Sequence, residues 1–153
     1  MGESGVKGQV SFEYVIIIAL TFAIIIPTTY LFFNYSKDSS QEIVDAQLTK
    51  MGRGIIDSAE TIFYSGEGSK TLLEINVPKG ISAASIVDGR ELVFNMTTDA
   101  GTSEIVFFSS VNLTTDGANC KSNTCSLPLL PEEGFKRIKI EAINRNSVSI
   151  EQP

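Results

Sequence analysis

Between Tyr14 and Phe33 the chain reads YVIIIALTFAIIIPTTYLFF, without one charged residue. A run of that length, rising 1.5 Å per residue, crosses a hydrocarbon core of roughly 30 Å as a helix. A secretory signal peptide has a shorter apolar region, about 7 to 15 residues, ending in a small-residue cleavage site. This run ends in Phe32, Phe33 and Asn34 instead. Past it the pattern turns amphipathic. Val44, Leu48, Met51, Ile55, Ala59 and Ile62 recur at spacings of three and four, opposite Glu42, Asp45, Thr49, Arg53, Asp57 and Glu60. That stripe predicts a helix docked by one face on a core. Gly52 and Gly54 weaken such a helix by roughly 1 kcal/mol each, which predicts a local bend, and Gly66 and Gly68 are its natural stop. Pro27 removes one hydrogen bond and crowds the carbonyl of Ala23, predicting a kink that Thr28 and Thr29 help to satisfy. Continuous from Ser11 to Ser65, the helix would be roughly 80 Å long. The small domain that follows cannot cover such a rod, so its apolar half needs lipid or other subunits around it.

From Thr71 the hydrophobic period changes to two. The segments 71–77, 84–87, 91–97, 104–111, 135–143 and 147–151 read as strands. They are punctuated by Pro78-Lys79-Gly80, Asp88-Gly89, Ala100-Gly101, a 116–134 loop and Asn144 to Asn146. Asp88-Gly89 between two alternating runs is a two-residue hairpin signal. The expected fold class is α+β: a long N-terminal helix packed on a C-terminal antiparallel β-sheet or small β-sandwich. Its segments are 1–8 as a polar leader, 9–35 as the membrane-spanning helix, 36–66 as the amphipathic continuation and 70–153 as the β-rich domain.

Composition narrows the function. With 18 acidic against 12 basic residues the chain repels phosphate backbones, so no nucleic-acid partner is expected. It contains no histidine, which removes the usual nucleophile-base pairs and HExxH metal chemistry. No enzyme activity, cofactor or metal is expected. Lys7 just before the apolar run favours a cytoplasmic N-terminus and an external C-terminal domain.

Glu13 stands at the very start of the span, where a carboxylate carried into hydrocarbon costs about 2 to 3 kcal/mol. It needs a partner or a role. The stretch Lys7-Gly8-Gln9-Val10-Ser11-Phe12-Glu13-Tyr14 resembles the class III signal sequence of archaeal type IV pilins. The resemblance covers roughly residues 7 to 35, and beyond them only the plan of a long helix followed by β-structure. It implies that a prepilin peptidase cuts between Gly8 and Gln9, leaving the apolar helix on the mature subunit with Glu13 as its fifth residue and assembly residue. It also implies a cell-surface filament built by an assembly motor and platform from many copies, with adhesion as its use. Archaellins share the peptidase logic but usually lack this glutamate. In physical terms, cleavage would create an α-amino group four residues from Glu13, and a neighbour's amine and this carboxylate could neutralise each other in an apolar filament core. An N-terminal Gln9 that cyclised to a lactam would offer Glu13 a hydrogen bond instead. Alternatives are a minor pilin or pseudopilin, or a single-span surface-binding protein; the latter leaves the Gly8-Gln9 junction and Glu13 unexplained.

Two further sets of residues bear on the outer domain. Cys120 and Cys125, with no histidine to complete a zinc site, read as a disulfide stiffening a loop tip, which suits an extracytoplasmic domain. Sequons for N-glycosylation start at Asn34, Asn95 and Asn112. Strand parity places Asn95 opposite Leu92, Phe94 and Met96 and predicts it exposed, while Asn34 lies close to the membrane. Glu132-Glu133 reads as a solvated turn.

Overall fold

The computed structural model describes residues 4–98, 101–115, 120–128 and 130–153, and all their side chains except those of 4–11 and 37–40. Helix α1 (Ser4–Ser65) is followed by strands β1 (Lys70–Val77), β2 (Ile81–Val87), β3 (Glu91–Thr98), β4 (Gly101–Phe108), β5 (Asn112–Thr114), β6 (Cys120–Lys121), β7 (Thr124–Ser126), β8 (Gly134–Asn144) and β9 (Ser147–Glu151). The chain is therefore α+β, one long N-terminal helix followed by sheets. It divides into two compact units, Met1–Glu42 and Ile43–Pro153, and α1 contributes to both.

In the first unit the helix runs on through Pro27. It also starts earlier than expected: Ser4 to Gly8 of the anticipated leader is already helical, and Met1 to Glu3 fall outside the described residues. The hydroxyl of Thr28 donates to the carbonyl oxygen of Ile24 at 2.7 Å. It therefore doubles an acceptor that the helix already uses, and does not serve the Ala23 carbonyl that proline deprives of its N–H partner. From Phe12 to Tyr35 the large apolar side chains are exposed. The most apolar stretch has a mean hydropathy of 2.4 and none of it is buried. By length and composition it is the one helix among the described residues able to cross a membrane.

In the second unit the remainder of α1 joins two sheets around one core. One sheet has the order β1-β8-β9-β5 and the other β4-β3-β2-β7-β6. The expected all-antiparallel pattern needs a correction, because β5 runs parallel to β9. Leu48, Met51, Ile55 and Ala59 of the anticipated stripe are buried, Val44 and Ile62 are partly so, and Ile56 joins them. They meet Ile75, Val77, Ile138, Ile140, Val148 and Ile150 from the first sheet and Ile86, Leu92, Phe94 and Met96 from the second. Each such side chain contributes about 1.5 to 3 kcal/mol of transfer free energy, enough in sum to oppose the ordering entropy of a small domain.

Helix α1 touches an edge strand of each sheet. On one side Gln47, Lys50, Met51 and Gly54 face Leu73 and Ile75 of β1 across a groove of about 450 Å³. On the other, the ring of Phe107 in β4 lies against Gly52 so closely that a β-carbon there would fall 2.3 Å from it. Gly52 is thus a close-approach glycine. The Glu60 carboxylate accepts from the backbone N–H of Ser110 at 3.0 Å and from its hydroxyl at 2.8 Å, fastening the helix to the segment after β4. The helix stops where expected, with Gly66 at φ 103° and its N–H donating to the Phe63 carbonyl.

Several strand boundaries differ from the sequence reading. The strand expected over 104–111 ends at Phe108, and after a short turn the chain starts β5. The expected 116–134 loop contains the β6–β7 hairpin, which extends the second sheet through three residues paired with β2. The Asp88-Gly89 turn forms with both residues at positive φ, 51° and 69°, closed by Arg90 N–H to the Val87 carbonyl. Arg90 is an extra residue before the Val87–Glu91 pair.

Candidate functional site

Most of the residues singled out by sequence fall into three places. The first is the start of the span. The Gly8-Gln9 peptide lies within α1, with the side chain of Gln9 outside the described set. Glu13 is exposed, on a helical segment whose neighbours Phe12, Tyr14, Val15, Ile16 and Ile17 are exposed as well. Nothing within the described residues covers this surface. Glu13 is thus a carboxylate set among exposed apolar side chains.

The second place is the hairpin end of the β-rich unit. Cys120 and Cys125 stand directly opposite each other on β6 and β7 and are joined by a disulfide. The bridge therefore ties two paired strands together across their ladder. Next to it the Asp88 N–H donates to the Asn123 carbonyl at 2.8 Å, and Asn123 Nδ2 donates to Asp88 Oδ1 at 2.6 Å. Asn112 opens β5 beside the Asp88-Gly89 turn and is exposed.

The third place is the outward face of the second sheet, where Asn95 corrects an expectation. It does lie opposite Leu92, Phe94 and Met96, yet it is half-buried, and its Oδ1 is buried without a hydrogen-bond partner among the described residues. The reason is position. Strand β3 is flanked by β2 and β4, and Asn95 stands in register with Ala83 on one side and Glu104 on the other. Asn34 is exposed on α1.

Several charged groups of the β-rich unit form ion pairs or hydrogen bonds. Lys139 reaches Glu141 at 3.0 Å and Glu151 at 3.1 Å, which holds its amine above the usual lysine range, chiefly through the bond to Glu141. The Ser149 hydroxyl, and after it Lys139, keeps the Glu151 carboxyl below the usual range. Glu132 pairs with Lys136, so the expected solvated turn carries a surface ion pair. Glu60 is lowered mainly by the Ser110 N–H and then by the Ser110 hydroxyl. Among the described residues no three His, Cys, Asp or Glu side chains form a group able to hold a metal ion.

Sequence reasoning missed the Gly52–Phe107 contact and the Glu60–Ser110 pair. Each joins residues about fifty positions apart, and the only sequence signal for either was a glycine inside a helical stripe. No protein-family model matches the chain, and neither any curated protein nor any solved structure matches it.

Proposed function

We propose that the chain is a structural subunit of a cell-surface filament of the archaeal type IV pilin kind, anchored in the membrane by the first half of α1 and assembled by packing that half against its copies. The observation that carries this reading is the exposed, uncharged Tyr14–Phe33 segment with Glu13 at its head, continuous within one helix with a stripe buried in the β-rich unit. Such a helix has two customers. Its second half belongs to its own domain, and its first half belongs to lipid before assembly and to neighbouring helices after it. Glu13 then meets the α-amino group or lactam that cleavage before Gln9 creates on a neighbour. The β-rich unit faces the outside, where its disulfide is stable, and adhesion is its task.

Electron microscopy of filaments sheared from the cell surface, with mass spectrometry of their subunit, tests this. The subunit should be this chain, beginning at Gln9 or its lactam. A surface form beginning near Asn34 would mean that the apolar run had been removed as an ordinary signal peptide, and would overturn the reading.

A further inference from the structure

We propose that Asn112 carries an N-linked oligosaccharide, and that it is the one of the three sequons the fold presents for this modification. The inference rests on the external placement of the β-rich unit in the reading above, but uses geometry that reading does not need. The reaction transfers an oligosaccharide from a lipid-phosphate donor to the asparagine amide. A bond forms between Nδ2 and the anomeric carbon, and the bond from that carbon to the phosphate oxygen breaks. The lipid phosphate leaves and Nδ2 gives up one proton. Nδ2 must therefore face solvent, on a segment that can be approached, with the sequon hydroxyl two residues on.

Asn112 meets those conditions. It is exposed and begins β5, a three-residue strand at the edge of its sheet, paired only with β9. Its Oδ1 is directed at Gly89, where a β-carbon would stand 2.1 Å away. The planar amide then turns Nδ2 away from that turn. Gly89, at φ 69°, leaves the room this placement requires.

The surroundings suit a sugar. Asn112 borders an open depression of about 350 Å³ to which Asp88, Ser122, Asn123 and Ser147 contribute, and among the described residues no Lys or Arg lines it. Its wall carries amide, hydroxyl and carboxylate groups beside Leu113 and Cys125, with Asp88 hydrogen-bonded to Asn123. A neutral polyhydroxyl chain attached at Asn112 finds both donors and acceptors there.

Each of the other two sequons lacks at least one of these features. Asn95 is half-buried with its Oδ1 covered, and its strand is paired on both sides, so its sequon is less open to approach than one on an edge strand. Asn34 is fixed in a helix between exposed Phe33 and Tyr35, at the end of the apolar segment.

Peptide mass spectrometry of the protein from the membranes of its own cells tests the proposal. The expected result is a glycopeptide at Asn112 with bare Asn34 and Asn95. Asn112→Gln and Thr114→Ala should lose the mass increment, and Thr114→Ser should keep it. A membrane-impermeant amine reagent applied to intact cells reads the placement of the domain independently. Bare Asn112 on a labelled domain, or a glycan on Asn95, overturns this inference and leaves the filament reading standing. Bare Asn112 on an unlabelled domain overturns both. A glycan on Asn112 in cells without filaments supports this inference and removes the filament reading alone.

Discussion

The two halves of helix α1 share a backbone conformation and are opposite in every other respect. From Tyr14 to Phe33 apolar residues surround the helix and none is buried. From Val44 to Phe63 they are confined to a stripe, and that stripe is largely buried. The difference teaches that apolar content and burial within the chain are separate properties. A stripe is matched to a surface the chain itself supplies, while an all-round apolar cylinder is matched to a solvent or to copies of itself. Each half can be challenged by changes that leave the other alone.

The largest effect should come from truncating the buried stripe. Ile55→Ala removes a side chain with no exposed surface and should cost about 3 to 4 kcal/mol in denaturant unfolding of the detergent-solubilised chain. Ile24→Ala, in the exposed half, should leave the same transition within about 0.5 kcal/mol. Equal losses from both would mean that the first half is also part of the folded core.

The two glycines of the second half give a smaller and sharper contrast. Gly52→Ala places a methyl group 2.3 Å from the Phe107 ring, while Gly54→Ala meets nothing within 4 Å. Overpacking of about 1 to 3 kcal/mol outweighs the helix-propensity gain of roughly 1 kcal/mol at Gly52, so a net loss of about 1 kcal/mol is expected there. At Gly54 the propensity gain stands alone and the variant should be more stable than the parent. Adding Phe107→Leu should restore part of the Gly52→Ala loss, as two residues in contact do in a double-mutant cycle. Additive effects would argue against the contact.

The smallest effect concerns acid. The Ser110 N–H, followed by its hydroxyl, lowers the Glu60 carboxyl below the usual value near 4.5. A group lowered on folding stabilises at pH above its unfolded value, and that contribution disappears as pH falls through the folded value. Stability relative to Glu60→Gln should therefore be highest near neutrality and shrink below about pH 4.5. The pair is solvent-exposed, so the difference at neutral pH should be about 0.5 kcal/mol. A flat difference across that range would mean that the contact is not charge-dependent.

Much of this fold was legible because period and burial agree. Strands β1 and β8 alternate inward and outward, β3 and β9 are buried on both faces at their centres, and the Leu48-to-Ala59 stripe faces the core. The three-residue β5 is too short to show a period, and its parallel pairing with β9 joins segments more than thirty residues apart. Strands β6 and β7 hide in a polar stretch, where the two cysteines pointed to a bridge but not to a hairpin. Parity placed Asn95 on the correct face and missed its burial, because exposure depends on the flanking strands as well as on the face. Gly52 read as a weak point because propensity tables do not see a ring on the other side of the core. At the head of the helix, Glu13 was singled out by its cost in hydrocarbon, and the structure shows it exposed; the partner we propose for it lies on a neighbouring chain.

That partner is the central claim, and Glu13→Val tests it most directly. The substitution makes the span more apolar, so membrane insertion and folding of the β-rich unit should be unchanged. The quantities to compare are the processed subunit in the membrane and the filaments sheared from the surface. Unchanged subunit with filaments lost is the expected result, and Glu13→Gln separates the partners: partial rescue indicates a neutral lactam and failure indicates an ammonium. A normal filament yield from the valine variant at equal membrane levels would contradict the account.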